Sequence, residues 1–558
     1  MPPLKTRDRN LIALAIGQTV VCATQAATIT VDSVADDANA TTCTLRDAIS
    51  NANREGGVAV GLPENSCENP SNGPDTIILP SSQTLNVTGS QSGANGLLIN
   101  SYITIEGNGS TINIPASSIP SSGSPSVINR RLFYVQAGGN LILNNTTVSG
   151  GDVSKNAFLG GAMYVNGIAT LNSSTVSGNT AFGGGGIYSK GGLYLNDSTV
   201  TGNSATGTTG TNGGGGILVN AGNLFVTQNS EIINNQSATA GGGISVLSGA
   251  SVALSNSTIS ENRSPTSISR VANGGGVYVR ESLTFDVTES VVSNNTAYRG
   301  GGILIGPVIG LGGGIDNTAN ITGTVINNNF APVGGGIFSD QVLNINNTSI
   351  SENTASDGGG LSISNTTFLI NSTVSRNTSN TGAAIRNFAS LEFNNSTVSG
   401  NIGLGIAILN FGTTTLINST VTAASSASSL FSTGQLVLKN SVITNSNGSD
   451  CELSAGTVTA DSSNIISDGT CNTNALAVDP QLMPLADNGG PTLTHALSPN
   501  SPARNIGVLT DCPTNDQRGV ERDFSNGFCD IGSFEFVGDD EVCFVVPTVN
   551  LNTVTFCL

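Results

Sequence analysis

The sequence predicts an all-β protein: a single-stranded parallel β-helix with an N-terminal cap and a small disulfide-bearing C-terminal domain. Three observations predict it. A motif N-S-T-V-S-x-N recurs along the chain, each time followed after a variable gap by G-G-G-I. Gly makes up 71 of the 558 residues, about 13% against a usual share of roughly 7%. No stretch of the repeats carries the apolar spacing of a capped helix.

The repeat comes first. Its central apolar residue is Val148, Val176, Val200, Ile232, Ile259, Val292, Val325, Ile350, Val374, Val398, Val421 and Ile443, with neighbours 22 to 33 residues apart. A fixed shortest step with occasional longer ones marks a coil that tolerates loops at one place. The long steps contain Thr206–Asn212 and Ser264–Asn273, and Pro115–Ser126 is a further Ser/Pro-rich insertion. Three short strands fit one step: Gly186-Ile187-Tyr188, Leu193-Tyr194-Leu195 and Ser198–Thr201. Each alternates apolar and polar residues and ends at Gly, Asn or Asp. One such coil cannot bury Ile187, Leu193, Leu195 and Val200 alone, so coils stack about 4.8 Å apart with like residues in column.

Two further columns follow. Asn179, Asn203, Asn235, Asn262, Asn295, Asn328, Asn353, Asn377 and Asn401 stand three residues after the central position. Asn there satisfies corner backbone groups and bonds its counterpart one coil away, which makes a structural ladder rather than a ligand site. Gly triplets at 184–186, 214–216, 241–243, 274–276, 300–302, 312–314, 334–336 and 358–360 precede an apolar residue, as a corner entering a strand requires. No Lys-Ser/Thr follows them, so they are not phosphate loops.

The ends differ from the repeats. Lys5, Arg7 and Arg9, an apolar run from Leu11 to Val21, and Thr24-Gln25-Ala26 form a signal peptide over residues 1–26. Removing it removes Cys22 and leaves eight cysteines, an even number that reads as disulfides in an exported chain. Short loops favour Cys43/Cys67, Cys451/Cys471, Cys512/Cys529 and Cys543/Cys557 among the 105 connectivities open to eight cysteines. Lys+Arg 19 against Asp+Glu 37 gives a net charge of −18, which argues against nucleic acid as a partner. No later stretch has the length of a membrane span.

At the ends the residues resemble known families. Cys43-Thr44-Leu45-Arg46-Asp47-Ala48-Ile49 resembles the signature of CSLREA-domain proteins. Asp487–Leu497, with Asp516-Gln517-Arg518-Gly519 and Cys529–Glu535, resembles the choice-of-anchor Q domain. The repeats are similar to those of polymorphic outer-membrane proteins, with Val176-Ser177-Gly178-Asn179 matching F-x-x-N except that Val replaces Phe. These resemblances imply a right-handed parallel β-helix, secreted or at a bacterial cell surface, and little chemistry. The expected organisation is a CSLREA-like cap with the first coils over 27–114, repeats over 115–478, a choice-of-anchor-Q-like domain over 479–536 covering the last coil, and a Cys-bracketed hairpin over 537–558. A short helix is expected from Leu45 to Asn53.

Candidate chemistry is sparse. Glu261 and Glu352 share a column but stand three coils apart, too far for a glycosidase pair. Arg376, one coil after Glu352, pairs with it at the surface. His495 is the only histidine and has no nucleophile motif beside it. Asp511, Asp516, Asp523, Asp530, Glu535, Asp539, Asp540 and Glu541 could collect calcium, but Arg518 and Arg522 are interleaved. Thr175/Ser177, Thr199/Thr201, Thr258/Ser260, Thr373/Ser375, Thr397/Ser399 and Thr420/Thr422 form an outward hydroxyl array interrupted at Glu231, Val291 and Ile326, of the kind that orders water against ice or sugar. No catalytic, metal or cofactor-binding residue is singled out. The expectation is an exported monomeric adhesin or structural surface protein that binds glycans or neighbouring cells. The alternative is a polysaccharide lyase or hydrolase of pectate-lyase-like architecture with its chemistry in an insertion.

Overall fold

The computed structural model describes residues 26–36, 42–54, 67, 73–88, 96–116, 130–208, 213–247, 249–266, 274–306, 318–403, 406–423, 428–445, 448–525, 527–538, 543–547 and 553–557. Residues 1–25 of the expected signal peptide, the Gly triplet 312–314, and Asp539, Asp540 and Glu541 lie outside these residues, as does most of each of the three insertions.

The chain winds as a parallel β-helix. The coil after Gly183 shows the path: Ile187–Ser189, a turn at Lys190-Gly191, Gly192–Asn196, a corner at Asp197, Thr199–Thr201, a corner at Gly202, and then the short strand Ser204–Ala205. Asp197 and Gly202 have φ of 49° and 63°, the left-handed corner that Asx and Gly residues accept at low cost. The Ile187 strand belongs to a 14-stranded sheet, the Gly192 and Thr199 strands share a 30-stranded sheet bent at that corner, and Ser204–Ala205 sits in a narrow three-stranded sheet. The strands pair in parallel from coil to coil, with register shifts at Glu106/Ser110, Ala250/Ser251 and Val398/Asn401: Val176 lies between Val148 and Val200, and Val374 pairs with Val398. Val148, Val176, Val200, Ile187, Leu193 and Leu195 are fully buried, each worth roughly 1.5–3 kcal/mol of apolar burial. Crossovers between parallel strands of one sheet wind right-handed.

The stack starts earlier than the first repeat: Thr28–Thr30 pairs with Asp75–Ile78, which pairs with Ile103–Glu106. The single α-helix among the described residues runs Leu45–Ala52. Thr44 caps it, accepting the Asp47 amide at 3.2 Å while the Asp47 carboxylate takes the Thr44 amide at 3.4 Å. Leu45, Ala48 and Ile49 are buried against the first coils.

Asn side chains run up the interior of one corner. Asn203 Oδ1 accepts both the Asn179 backbone N–H at 3.0 Å and Asn179 Nδ2 at 2.9 Å, while Asn203 Nδ2 donates to the Val176 carbonyl at 3.0 Å. The pattern repeats through Asn235, Asn262, Asn295, Asn353, Asn377 and Asn401. Between Asn295 and Asn353 the rung is Asn329, not Asn328. Asn295 Nδ2 donates to Asn329 Oδ1 at 3.0 Å, and Asn328 instead holds a corner at φ 54°. The central residue shifts with it: Ile326 pairs with Val292 and is fully buried, while Val325 faces out. Because Ile326 is the residue that faces the dry column, the Asn three positions after it, Asn329, joins the ladder.

Among the described residues three disulfides, Cys43–Cys67, Cys451–Cys471 and Cys512–Cys529, tie the ends. Cys543–Pro547 and Thr553–Cys557 form an antiparallel hairpin with Cys543 opposite Cys557.

Candidate functional site

The C-terminal segment decides which flank stays open. It does not simply cover the last coil: residues from Thr492 to Glu535 lie along the side of several coils, on the hydroxyl column. Thr373 Oγ1 donates to the Leu493 carbonyl at 2.6 Å, Thr397 Oγ1 to Gln517 Oε1 at 2.6 Å, and the Ser533 amide to Thr420 Oγ1 at 3.1 Å. Thr373, Thr397 and Thr420 are consequently buried. The expected hydroxyl array is therefore largely covered where this segment docks, while Thr175, Thr199, Thr258 and their neighbours stay partly exposed. Ile326 does not interrupt that array, because it faces the core and Val325 takes the outward place.

His495 is one of the docking contacts. Its Nδ1 lies 2.7 Å from the Met483 carbonyl, which can only accept, so Nδ1 carries the proton and Nε2 accepts from Ser399 Oγ at 2.8 Å. Burial holds its pKa below the ordinary value. Arg522, fully buried, donates to Glu535 Oε2 at 2.9 Å, to the Asp530 and Gly532 carbonyls, and across to Asn395 Oδ1 at 2.9 Å. Asp516 takes the Arg518 guanidinium and three backbone amides. Asp530 holds the Asn505 and Phe536 amides, and Asp511 pairs with Lys439 at 2.8 Å. This acidic group is thus engaged by cations and amides. Among the described residues no three His, Cys, Asp or Glu side chains gather closely enough to hold a metal ion.

The open flank is the outer face of the strands that include Gly192–Asn196. Tyr194 and Phe225, on adjacent coils, stack with ring centroids 5.3 Å apart and planes 7° from parallel. Both are half-buried by the flat sheet beneath them. Two residues along each strand runs a polar ladder: Thr227 Oγ1 to Asn196 Oδ1 at 2.7 Å, Asn196 Nδ2 to Asn172 Oδ1 at 2.9 Å, Asn172 Nδ2 to Asn144 Oδ1 at 2.8 Å, and Asn144 Nδ2 to Glu106 Oε1 at 2.6 Å. Each amide spends one N–H on the ladder and keeps a second. The strip thus sets aromatic rings beside hydrogen-bonding groups that repeat once per coil. Repeat matching on the N-S-T-V motif passed over these residues. The signal was an aromatic residue at the outward middle position of consecutive strands.

A second aromatic pair, Phe388 and Phe411, stacks at 5.1 Å on an exposed corner, with the Arg386 guanidinium 4.6 Å from the Phe388 ring and paired to Asp357 at 2.7 Å. Tyr134, Tyr164 and Tyr188 form a third run on the 14-stranded sheet, 5.1 and 4.8 Å apart, with Arg131 5.1 Å from the Tyr164 ring.

Carboxylates do not gather on these faces. Glu261 and Glu352 are separated by three pairing steps, about 14 Å at 4.8 Å per step, against roughly 5–9.5 Å for a glycosidase pair. Glu352 pairs with Arg376 at 3.2 Å, both exposed. A shallow depression of about 390 Å³ near Arg263 is lined by Gln236, Ser264, Pro265, Thr266 and Thr296, with no carboxylate.

Fold and surface together define a disulfide-stapled parallel β-helix with one flank occupied by its own C-terminal segment and another that, among the described residues, this segment does not cover. No protein-family model matches the chain, so the CSLREA, choice-of-anchor and outer-membrane repeat resemblances rest on their motifs. No curated protein matches it either. Among known structures it is similar to the crystal structure of pectate lyase Pel9A, at 15% identity and a TM-score of 0.22, over 92% of this chain and 96% of that one. The architecture stands on its own strand register and not on that likeness. Among the described residues no helix is long and apolar enough to cross a membrane.

Proposed function

We propose that this is an exported, non-enzymatic β-helix, secreted or held at a cell surface, that binds glycans through the Tyr194/Phe225 strip. The observation that carries the reading is the stacked, near-parallel ring pair beside a once-per-coil amide ladder. Sugar rings present an apolar face that stacks on aromatic rings and a hydroxyl rim that matches amide donors and acceptors. The wide spacing of Glu261 and Glu352 and the engagement of the C-terminal carboxylates support binding without cleavage. Three disulfides support an oxidising destination.

The test is affinity electrophoresis of the full chain through gels containing hydroxyethylcellulose, laminarin or guar galactomannan, with reducing ends assayed in parallel. Retardation by at least one polymer, lost in Tyr194→Ala/Phe225→Ala and accompanied by no new reducing ends, is the expected result. Release of reducing ends or of unsaturated oligosaccharides overturns it.

A further inference from the structure

The strip continues beyond its first ring pair. Parallel register carries one outward column through Tyr194, Phe225, Ala253, Asp286, Asn320, Asn344 and Phe368, one residue per coil. Asn320 Nδ2 donates to Asp286 Oδ1 at 2.8 Å and Asn344 Nδ2 to Asn320 Oδ1 at 2.9 Å. Two rings, a polar ladder and a third ring therefore lie on one straight line. Phe368 stands five pairing steps from Phe225, about 24 Å at 4.8 Å per step. The neighbouring column over the later coils, Ser255, Thr288, Thr322 and Asn346, carries hydroxyls and an amide.

From this we infer that the ligand is a linear, uncharged polysaccharide laid parallel to the helix axis, held at one end by Tyr194 and Phe225 and at the other by Phe368. The inference rests on the glycan-binding reading above and adds the polymer's charge, length and direction. Charge selects the class: neither column holds a Lys or Arg between Phe225 and Phe368, Asp286 sits midway, and the chain carries −18 overall, so an acidic polymer is repelled. Length follows from the gap between rings. A short oligosaccharide meets one end only, whereas a chain that spans the ladder gains the second contact at high effective concentration. Direction follows from the column, since the strands beneath are paired coil to coil and the rungs repeat along one axis.

The experiment uses the full chain and size-fractionated hydrolysates of hydroxyethylcellulose, laminarin and guar galactomannan, with polygalacturonate as the charged counterpart. Affinity is measured by calorimetry for fractions shorter than about 10 Å and longer than about 30 Å, two and six coil spacings. Expected is a long fraction bound at least about tenfold tighter than the short one. Phe368→Thr, a residue type the same column uses at Thr170 and Thr415, weakens the long fraction about tenfold and leaves the short one unchanged, and Phe368→Tyr restores it. Equal affinity for both lengths, or no effect of Phe368→Thr, overturns the two-ended polymer. Binding of polygalacturonate alone overturns the uncharged class. If wild type binds no polymer in any form, the glycan-binding reading itself fails. Matching thermal midpoints for wild type and variants confirm that folding is unchanged.

Discussion

Replacing one rung of the Asn ladder is expected to cost far more than replacing its neighbour in sequence. Asn329 makes four side-chain hydrogen bonds: Oδ1 accepts the Asn295 amide and Asn295 Nδ2, each at 3.0 Å, and Nδ2 donates to the Val292 carbonyl at 2.9 Å and to Asn353 Oδ1 at 3.0 Å. At about 1 kcal/mol net per bond, and more for donors left buried without a partner, Asn329→Ala costs about 3–5 kcal/mol. Asn328 occupies a left-handed corner at φ 54°, so Asn328→Gly removes no buried bond and changes stability by less than about 0.5 kcal/mol. A solenoid of this length does not unfold as one unit, so hydrogen exchange on peptides spanning 292–296 and 326–330 is the appropriate assay. Asn329→Ala is expected to lower protection there by about 10²- to 10⁴-fold, with Asn328→Gly near wild type. Equal losses in the two variants, or a larger loss in Asn328→Gly, refute the register and the ladder argument with it.

Further outcomes concern the docked C-terminal segment. Because burial lowers the His495 pKa, its neutral form contributes stability fully above an unfolded pKa near 6.5, and that contribution is lost as pH falls through the lower folded value. Exchange protection of residues 492–497 is therefore expected to fall between pH 7 and 5 in wild type and less so in His495→Gln. The difference between the two isolates the imidazole from Asp530 and Glu535, whose carboxyl pKa values burial raises, and identical pH slopes contradict the assignment. Arg522→Met leaves Glu535 buried without its cation and is expected to cost about 3–5 kcal/mol, read as loss of protection across 516–535. A variant as stable as wild type contradicts the pairing. Cys512→Ser/Cys529→Ser opens a 17-residue loop and is expected to cost about 3 kcal/mol by loop-closure entropy. Proteolysis at the segment then becomes faster while the repeats stay resistant, and unchanged proteolysis argues against the role of that disulfide.

Most of the stack was legible because it is local and periodic. Val176, Val200, Val374 and Val398 announce one column through spacing alone, and the Asn residues three positions on announce the next. The register slipped only at Thr324–Asn329, where Val325-Ile326 offers two apolar residues and three consecutive Asn follow. The template fits either way there, and only the facing Ile326–Val292 pair settles it. The placement of the C-terminal segment was not legible. Its contacts join residues more than a hundred positions apart, such as Thr373 with Leu493 and Asn395 with Asn515, and no periodicity encodes them. The Tyr194–Phe368 column was present in the sequence, but the insertions vary its spacing and hide it until the strands are paired.

The most direct test of the open strip is hydroxyl-radical footprinting of the full chain with and without saturating neutral polysaccharide. Tyr194, Phe225 and Phe368 are expected to be protected together, with the exposed rings of Phe388, Phe411 and Phe330, the last just after the Asn329 rung, unchanged. Protection at Phe388 and Phe411, with Tyr194 and Phe225 still reactive, contradicts it.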